Sequence, residues 1–310
     1  FILSSFKPIL VLKGQFKSQK YGLALRNGLV VFQFVITITL ISSIVIIQQQ
    51  LRFIQTKSLG FNSEQVVMVP MRTSQATAQY TSMKTSIEQL AGVNHVSATS
   101  SVPSTPLSRD WLLYKQGWTS DKTVTHDIVG VDEGYFETMG IELIIGRDFV
   151  VGQDNVPTDT VGTTKVVVNE SSLKAFDIPL KDAVGSAIYF QPGDERYEIT
   201  VVGVVKDFHQ FSLHREIRPI MFILSGNRNF FPYMAVSLEM NSHEQILSEM
   251  KKIWGKKVNT APFESIFVND NIQNLYMAEK RTSSILTIST VIALLISCLG
   301  LYGLSVYVAE

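Results

Sequence analysis

Two apolar runs without a single charged residue, 29–47 and 285–309, bracket the chain. A hydrocarbon core about 30 Å thick is crossed by about 20 apolar residues in a helix that rises about 1.5 Å per residue. Each run therefore predicts a transmembrane helix, and the residues between them become one extramembrane domain held at both ends. A cleaved signal sequence is a poor reading of the first run. Its apolar stretch is longer than such segments use, and Gln48, Gln49 and Gln50 follow it in place of a small-residue cleavage site.

Charge orients the pair. The chain of 310 residues carries 27 basic and 27 acidic side chains. Residues 1–28 hold Lys7, Lys13, Lys17, Lys20 and Arg26 and no acid, which leaves 22 basic against 27 acidic residues elsewhere. A basic flank before a span marks the cytoplasmic side, so the first helix leaves the cytoplasm, the middle lies outside and the second helix returns. Cys298, inside the second run, is the sole cysteine and is read as a small packing residue, so the outer domain has no disulfide. Phe1 at the start and Glu310 directly after the second run suggest cuts in a longer polypeptide.

The fold class expected is an α+β extracytoplasmic domain, a split β-α-β lobe with an inserted β-rich lobe, flanked by two transmembrane α-helices. Residues 1–28 are expected to form a cytoplasmic amphipathic, basic segment, with 1–16 either lying on the inner leaflet or a frayed linker, and 29–47 the first span. No Gly or Pro occurs from 29 until Gly60, so the helix continues as a stalk over 48–61, with Leu51 and Ile54 extending the face of Ile47. A strand over 66–71, a helix over 76–91 and a strand over 93–100 make one half of the β-α-β lobe, 62–104. A strand over 233–238, a helix over 243–254 and a strand over 264–268 make the other, 231–269. The insert, 105–230, has its clearest strands at 165–168 and 199–205, β-branched runs of the kind buried on both faces. Turn signals flank them at Pro157, Gly162, Pro192-Gly193 and Pro219. Asp270 with Gln273 three residues on is a capping box that opens a second stalk, 270–284, with Ile272 and Leu275 on it, running unbroken into the second span at 285–309.

Several chemistries are excluded or disfavoured. There is no G-x-x-x-x-G-K-[ST] phosphate loop and no G-x-S-x-G nucleophile turn. His209 and His214 are five apart, a spacing that suits one metal on neither a helix nor a strand. Asp154, Asn155 and Asp159 lack the glycine and terminal glutamate of a calcium loop, and a solvated loop is expected there. The acids of 132–149 are expected to have fold-determining rather than catalytic roles, with Gly140 and Gly146 punctuating the turns. No Asp, Glu, Lys, Arg or His lies within either span, so a proton or ion relay has no groups to run on. Instead Ser289, Ala293, Ser297 and Gly300 form a small-residue stripe on the second span, and Gln33 and Thr37 a polar one on the first, both suited to close helix packing.

The segments Leu3-Ser4-Ser5-Phe6-Lys7-Pro8, Val11-Leu12-Lys13-Gly14 and 25–34 (LRNGLVVFQF) resemble the start of the second half of duplicated MacB/FtsX-type ABC transporter permeases. The segments 135–141 (YFETMGI), 146–149 (GRDF), 166–170 (VVVNE) and 201–209 (VVGVVKDFH) are similar to the MacB-type periplasmic core domain, and 298–304 (CLGLYGL) to the start of that family's permease domain. The resemblance spans nearly the whole chain. It implies a permease subunit without its own nucleotide site or cofactor, ATP being bound by a separate cytoplasmic ABC ATPase subunit. It further implies a second permease half or a homodimer partner, surrounding membrane lipid, and a periplasmic partner or exported substrate, with no nucleic acid involved. The family continues beyond the last residue here into a basic coupling helix and two further spans.

The function expected is thus a non-enzymatic permease fragment in the cell inner membrane, relaying ATP-driven motion to a periplasmic domain for efflux or mechanotransmission. The alternative is a two-span extracytoplasmic sensor of chemoreceptor or histidine-kinase type, which the downstream sequence distinguishes. A membrane-tethered enzyme ranks third and has no catalytic constellation.

Overall fold

The computed structural model describes residues 19–107, 110–118, 122–154, 164–191, 196–213, 215–225, 231–239 and 243–309. Most of the expected segment 1–28, and the turn signals at Pro157, Gly162 and Pro192-Gly193, lie outside the described residues. In chain order the elements are α1 (Gln19–Thr56), β1 (Val66–Pro70), α2 (Ser74–Ala78), α3 (Tyr80–Glu88), β2 (Val93–Thr99), β3 (Asp110–Lys115), β4 (Val124–Val131), α4 (Tyr135–Met139), β5 (Leu143–Gly146), β6 (Thr164–Asn169), α5 (Glu170–Ala175), β7 (Ala187–Phe190), β8 (Tyr197–Val205), β9 (Ile220–Leu224), β10 (Tyr233–Leu238), α6 (His243–Lys257), β11 (Ile266–Phe267), α7 (Val268–Leu275) and α8 (Met277–Ala309). They fall into a helical unit, 1–57 with 277–310, and an outer unit, 58–276. The fold is mixed α+β between two apolar helices, as the sequence implies.

In the outer unit, four strands in the order β11-β1-β10-β2, all antiparallel, build an open sheet. With α3 after β1 and α6 after β10 this is a split β-α-β arrangement. Strand alternation sends Val67, Val69, Val96, Met234 and Val236 to one face, where they meet Met83 and Ile87 of α3 and Ile246, Met250 and Trp254 of α6. The i, i+4, i+8 spacing on α6 makes that helix one-sided. The opposite face is met by α4 of the insert, which packs on β2 and β10. Gly134 and Gly140 bound α4 at φ +72° and +67°, a left-handed backbone that glycine adopts without penalty.

The insert closes on itself. β4 pairs with β3, β3 with β7, β7 with β8, β8 with β6, β6 with β9, and β9 returns to β4 in parallel. Six strands thus form a barrel, which leaves no unpaired edge among them. Leu113, Ile128, Val166, Val168, Ile188, Ile199, Val201, Val204, Met221 and Ile223 fill it, and Leu173, Phe176 and Ala183 pack into the same core. β4 also reaches the open sheet, opposing Thr99 of β2 at Val131, so one sheet runs through both lobes.

Some expectations shift. The helix expected over 76–91 is two, α2 and α3, because Gln79 caps both. The strand expected over 264–268 shortens to Ile266–Phe267, and the following helix is capped at Phe267 rather than Asp270. The first long helix begins ahead of residue 29 and ends at Thr56, short of the expected stalk end. The second stalk is not one rod: Tyr276, at φ −104° and ψ 13°, separates α7 from α8. The cause is tertiary, since Val268, Ile272 and Tyr276 are all buried in the outer unit.

Candidate functional site

α1 and α8 have the length and apolar composition to cross a membrane over Asn27–Ile54 and Met277–Gly303. Leu29, Phe32, Val35, Ile38, Ile285, Ile288, Val291 and Leu295 are exposed on them, which is costly in water and favourable in lipid. The covered side of each helix is a regular seam. Its central line on α1 is Val30, Gln33, Thr37, Leu40, Ile44, Ile47, Leu51 and Ile54, flanked by Phe34 and Ser43, and on α8 Ser283, Leu286, Thr290, Ala293, Ser297 and Gly300. Both alternate steps of three and four residues, the spacing of supercoiled helices. The Thr37 and Ser297 hydroxyls lie 3.1 Å apart, and Gln33 Oε1 occupies the notch that Gly300 leaves. Moving back from Thr37 to Gln33 means moving forward from Ser297 to Gly300, so the helices are antiparallel.

The structure therefore brings Gln33, Thr37, Ala293, Ser297 and Gly300 to one seam, with Leu51 and Ile54 on its α1 side. Ser289 is exposed, and Thr290 takes that turn. The expected stripe steps by four, four and three, whereas the seam alternates three and four, a mean step of about 3.5. Cys298 also differs from its expected packing role, being exposed on α8. Ile272 is buried in the outer unit, and Leu275 beside it is 39% exposed.

In the outer unit, the chain arriving from α1 and the chain leaving toward α8 meet the same stretch, 207–213. His209 N–H donates to the Leu59 carbonyl at 2.8 Å. Gly60, at φ +88°, lies against Phe208 so closely that a Cβ would stand 2.8 Å from Phe208 Cβ. Phe61 meets the Phe208 ring edge-on at 6.1 Å, and Phe208 meets Phe222 of β9 at 6.1 Å. On the departing side, Leu213 N–H donates to Tyr276 Oη at 2.9 Å, and Ser212 Oγ lies 3.3 Å from the same oxygen. Between them, Ser104 N–H donates to the Gln210 carbonyl, and Asn271 Nδ2 donates to the Pro103 carbonyl.

A buried polar hub holds the root of this stretch. Asn169, fully buried, accepts through Oδ1 from the Ser172 and Ile220 amides and donates through Nδ2 to Asp207 Oδ1 and the Arg218 carbonyl. Asp207 also accepts from the Ser171 amide and hydroxyl and from Lys174. Asp154, expected in a solvated loop, is instead buried, held by both Arg147 nitrogens, by Lys165 at 3.0 Å and by the Val150 amide. The Arg147 guanidinium leads in holding its carboxyl below the usual carboxylate range. Asn155, Asp159 and His214 lie outside the described residues. Among the 132–149 acids, Asp132 accepts from Tyr80 Oη and Lys84 of α3, and Asp148 accepts from the Phe149 amide, so Asp132 ties its segment to the open-sheet lobe and Asp148 holds its own backbone. Among the described residues no cluster of three His, Cys, Asp or Glu side chains fits a metal ion.

Sequence reasoning missed Gly60, Phe208, Tyr276, Ser283 and Thr290. The last two were detectable, because Ser283, Thr290 and Ser297 recur every seven residues. Tyr276 had no sequence signal.

The profile of the MacB-like periplasmic core domain matches residues 29–252. Among solved structures, the periplasmic region of MacB from Actinobacillus actinomycetemcomitans is 16% identical, with a TM-score of 0.43 over 70% of this chain and 94% of that one. The extracellular domain of the noncanonic ABC-type transporter YknZ from Gram-positive bacteria is 12% identical, with a TM-score of 0.41 over 65% and 98%. A permease-protein domain from Porphyromonas gingivalis is 15% identical, with a TM-score of 0.41 over 67% and 92%. No curated protein matches.

Proposed function

Because the chain belongs to the family of the MacB-like periplasmic core domain, that of MacB/FtsX-type ABC transporter permeases, we propose that it relays ATP-driven motion from a separate ABC ATPase to its outer domain. The observation that carries this reading is the family match together with two lipid-compatible helices at the domain's two chain ends. A family of permease components supplies the membrane path, and nucleotide chemistry belongs to the partner subunit. The proposed setting is the inner membrane, multi-pass, with the central domain periplasmic. A second permease half or a second copy completes the helix bundle, and a periplasmic protein or an exported substrate is what the outer domain handles. The divisions 62–104 with 231–269 and 105–230 serve in this reading as an open-sheet lobe and a barrel lobe that move on one another.

Purification of the protein from its native membrane tests this. An ABC ATPase is expected to accompany it, and ATP is expected to change the distance between spin labels placed at Leu112 and Lys252. Insertion of Gly-Gly after residue 55 is expected to abolish the distance change while ATP turnover persists. Co-purification of a chemotaxis or histidine-kinase signalling partner instead, or an unchanged response after the insertion, overturns it.

A further inference from the structure

The two ends of the outer unit are far apart in sequence, yet both close on seven residues, 207–213. These residues continue directly from β8, the barrel strand that pairs with β5, β6 and β7. At the incoming end, Leu59, Gly60 and Phe61 engage His209 and Phe208 by a backbone hydrogen bond, a glycine contact and a ring edge. At the outgoing end, Tyr276 leaves helical geometry, and its hydroxyl accepts from the Leu213 amide. Tyr276 is 4% exposed and Phe208 2%. Loop 102–104 adds a third strap, bonded to Gln210 on one side and to Asn271 on the other. From Phe208 the ring contacts pass through Phe222 to Phe136 at 5.0 Å and on to Phe149.

We propose that residues 207–213 are a coupling clasp: loosening the chain end that leads to one membrane helix loosens the end that leads to the other, and Tyr276 is the positioning residue that closes it. This deepens the permease reading, on which its functional meaning rests. The physical reason is that each end donates to or accepts from one short segment with no spare length, so an opening that frees one end removes partners from the other. Coupling between sites is a free energy and acts in both directions. If the clasp opens as one unit, weakening either end raises the open population seen at both.

Hydrogen–deuterium exchange on the full chain in detergent micelles tests the proposal by perturbing one end and reading the other. Tyr276→Phe keeps the ring and removes the hydroxyl acceptor. It is expected to speed exchange in peptides covering 59–63 and 136–141, where Asn62 N–H is bonded to the Met139 carbonyl, by about 5-fold or more. Phe61→Leu trims the ring against Phe208 and is expected to speed exchange in 271–276 by a similar factor. Gly60→Ala is the harsher counterpart, and Phe61→Leu keeps the test usable if that variant does not fold. The barrel core, read at 164–169, is expected to stay unchanged. If Tyr276→Phe accelerates only 207–213, or if either perturbation leaves the far end at the parent rate, there is no shared clasp. No ATPase is present in this measurement, so its failure is separate from failure of the permease reading.

Discussion

His126 is fully buried inside the barrel, stacked on Phe176 with ring centroids 4.9 Å apart. Its Nδ1 lies 3.2 Å from the Val124 carbonyl, which accepts, while Nε2 has no hydrogen-bond partner. Burial pushes its pKa down from 6.5 to about 4, so the native state holds it neutral. Between those values the unfolded chain binds the proton and the folded one does not. Stability from this residue is therefore complete above about pH 6.5 and is lost as the pH falls to about 4, a change of roughly 3 kcal/mol. Burial moves neighbouring Asp127 upward, with Arg218 opposing, and a raised carboxyl gains stability as pH falls, so the absolute profile mixes the two. Comparing the parent with His126→Leu isolates the histidine: denaturant unfolding between pH 7 and 4 is expected to flatten in the variant, and parallel profiles contradict the assignment. At the polar hub, Asn169→Ala strands the Ser172 and Ile220 amides. Chemical unfolding is expected to show a loss of about 2–4 kcal/mol, whereas a neutral result denies the hub its role. Asn169 was legible as part of a strand-ending motif. Its partners were not, because Asp207 and Arg218 are far along the chain and no local pattern announces them.

At the scale of elements, the α1/α8 seam sets the small side chains of α8, Ser283, Ala293, Ser297 and Gly300, against mostly larger apolar ones of α1, with Thr37 meeting Ser297. The sequence was informative here because lipid exposure forbids charge and a helix has one dominant period. Thr37 meets Ser297 and Gln33 meets Gly300, whereas at the next turn Thr290 is buried and Ser289 exposed, serine and threonine being equally acceptable at a seam. Cysteines at 37 and 297, in a Cys298→Ser background, are expected to form a disulfide under mild oxidation in membranes, while a 38 and 297 pair does not, since Ile38 is exposed. Equal cross-linking of both pairs contradicts the seam. The break at Tyr276 was not readable for a different reason. Nothing in Asn274-Leu275-Tyr276-Met277 disfavours a helix, and the interruption comes from a tertiary hydrogen bond to Leu213. Gly60 marks the opposite case, a glycine whose φ of +88° and contact with Phe208 explain its place. Gly60→Ala is expected to cost at least about 1–2 kcal/mol of outer-unit stability by thermal unfolding.

Over the whole molecule, the alternation of β-α-β segments announced the open sheet, and β-branched runs announced a β-rich insert. The closure of that insert into a six-stranded barrel was not legible, because alternation tells which side of a strand is buried and says nothing of its neighbour. The β4–β9 pairing joins Val129 to Phe222 across most of the insert, and only the folded chain displays it. The proposed function requires that both long apolar helices cross the bilayer and that the domain between them lies outside the cytoplasm. Leu112, 58% exposed on β3, offers the most direct measurement. Leu112→Cys in a Cys298→Ser background, treated with a membrane-impermeant maleimide on intact spheroplasts, is predicted to label fully without lysis. Labelling only after the membrane is broken would put the domain in the cytosol and contradict the account.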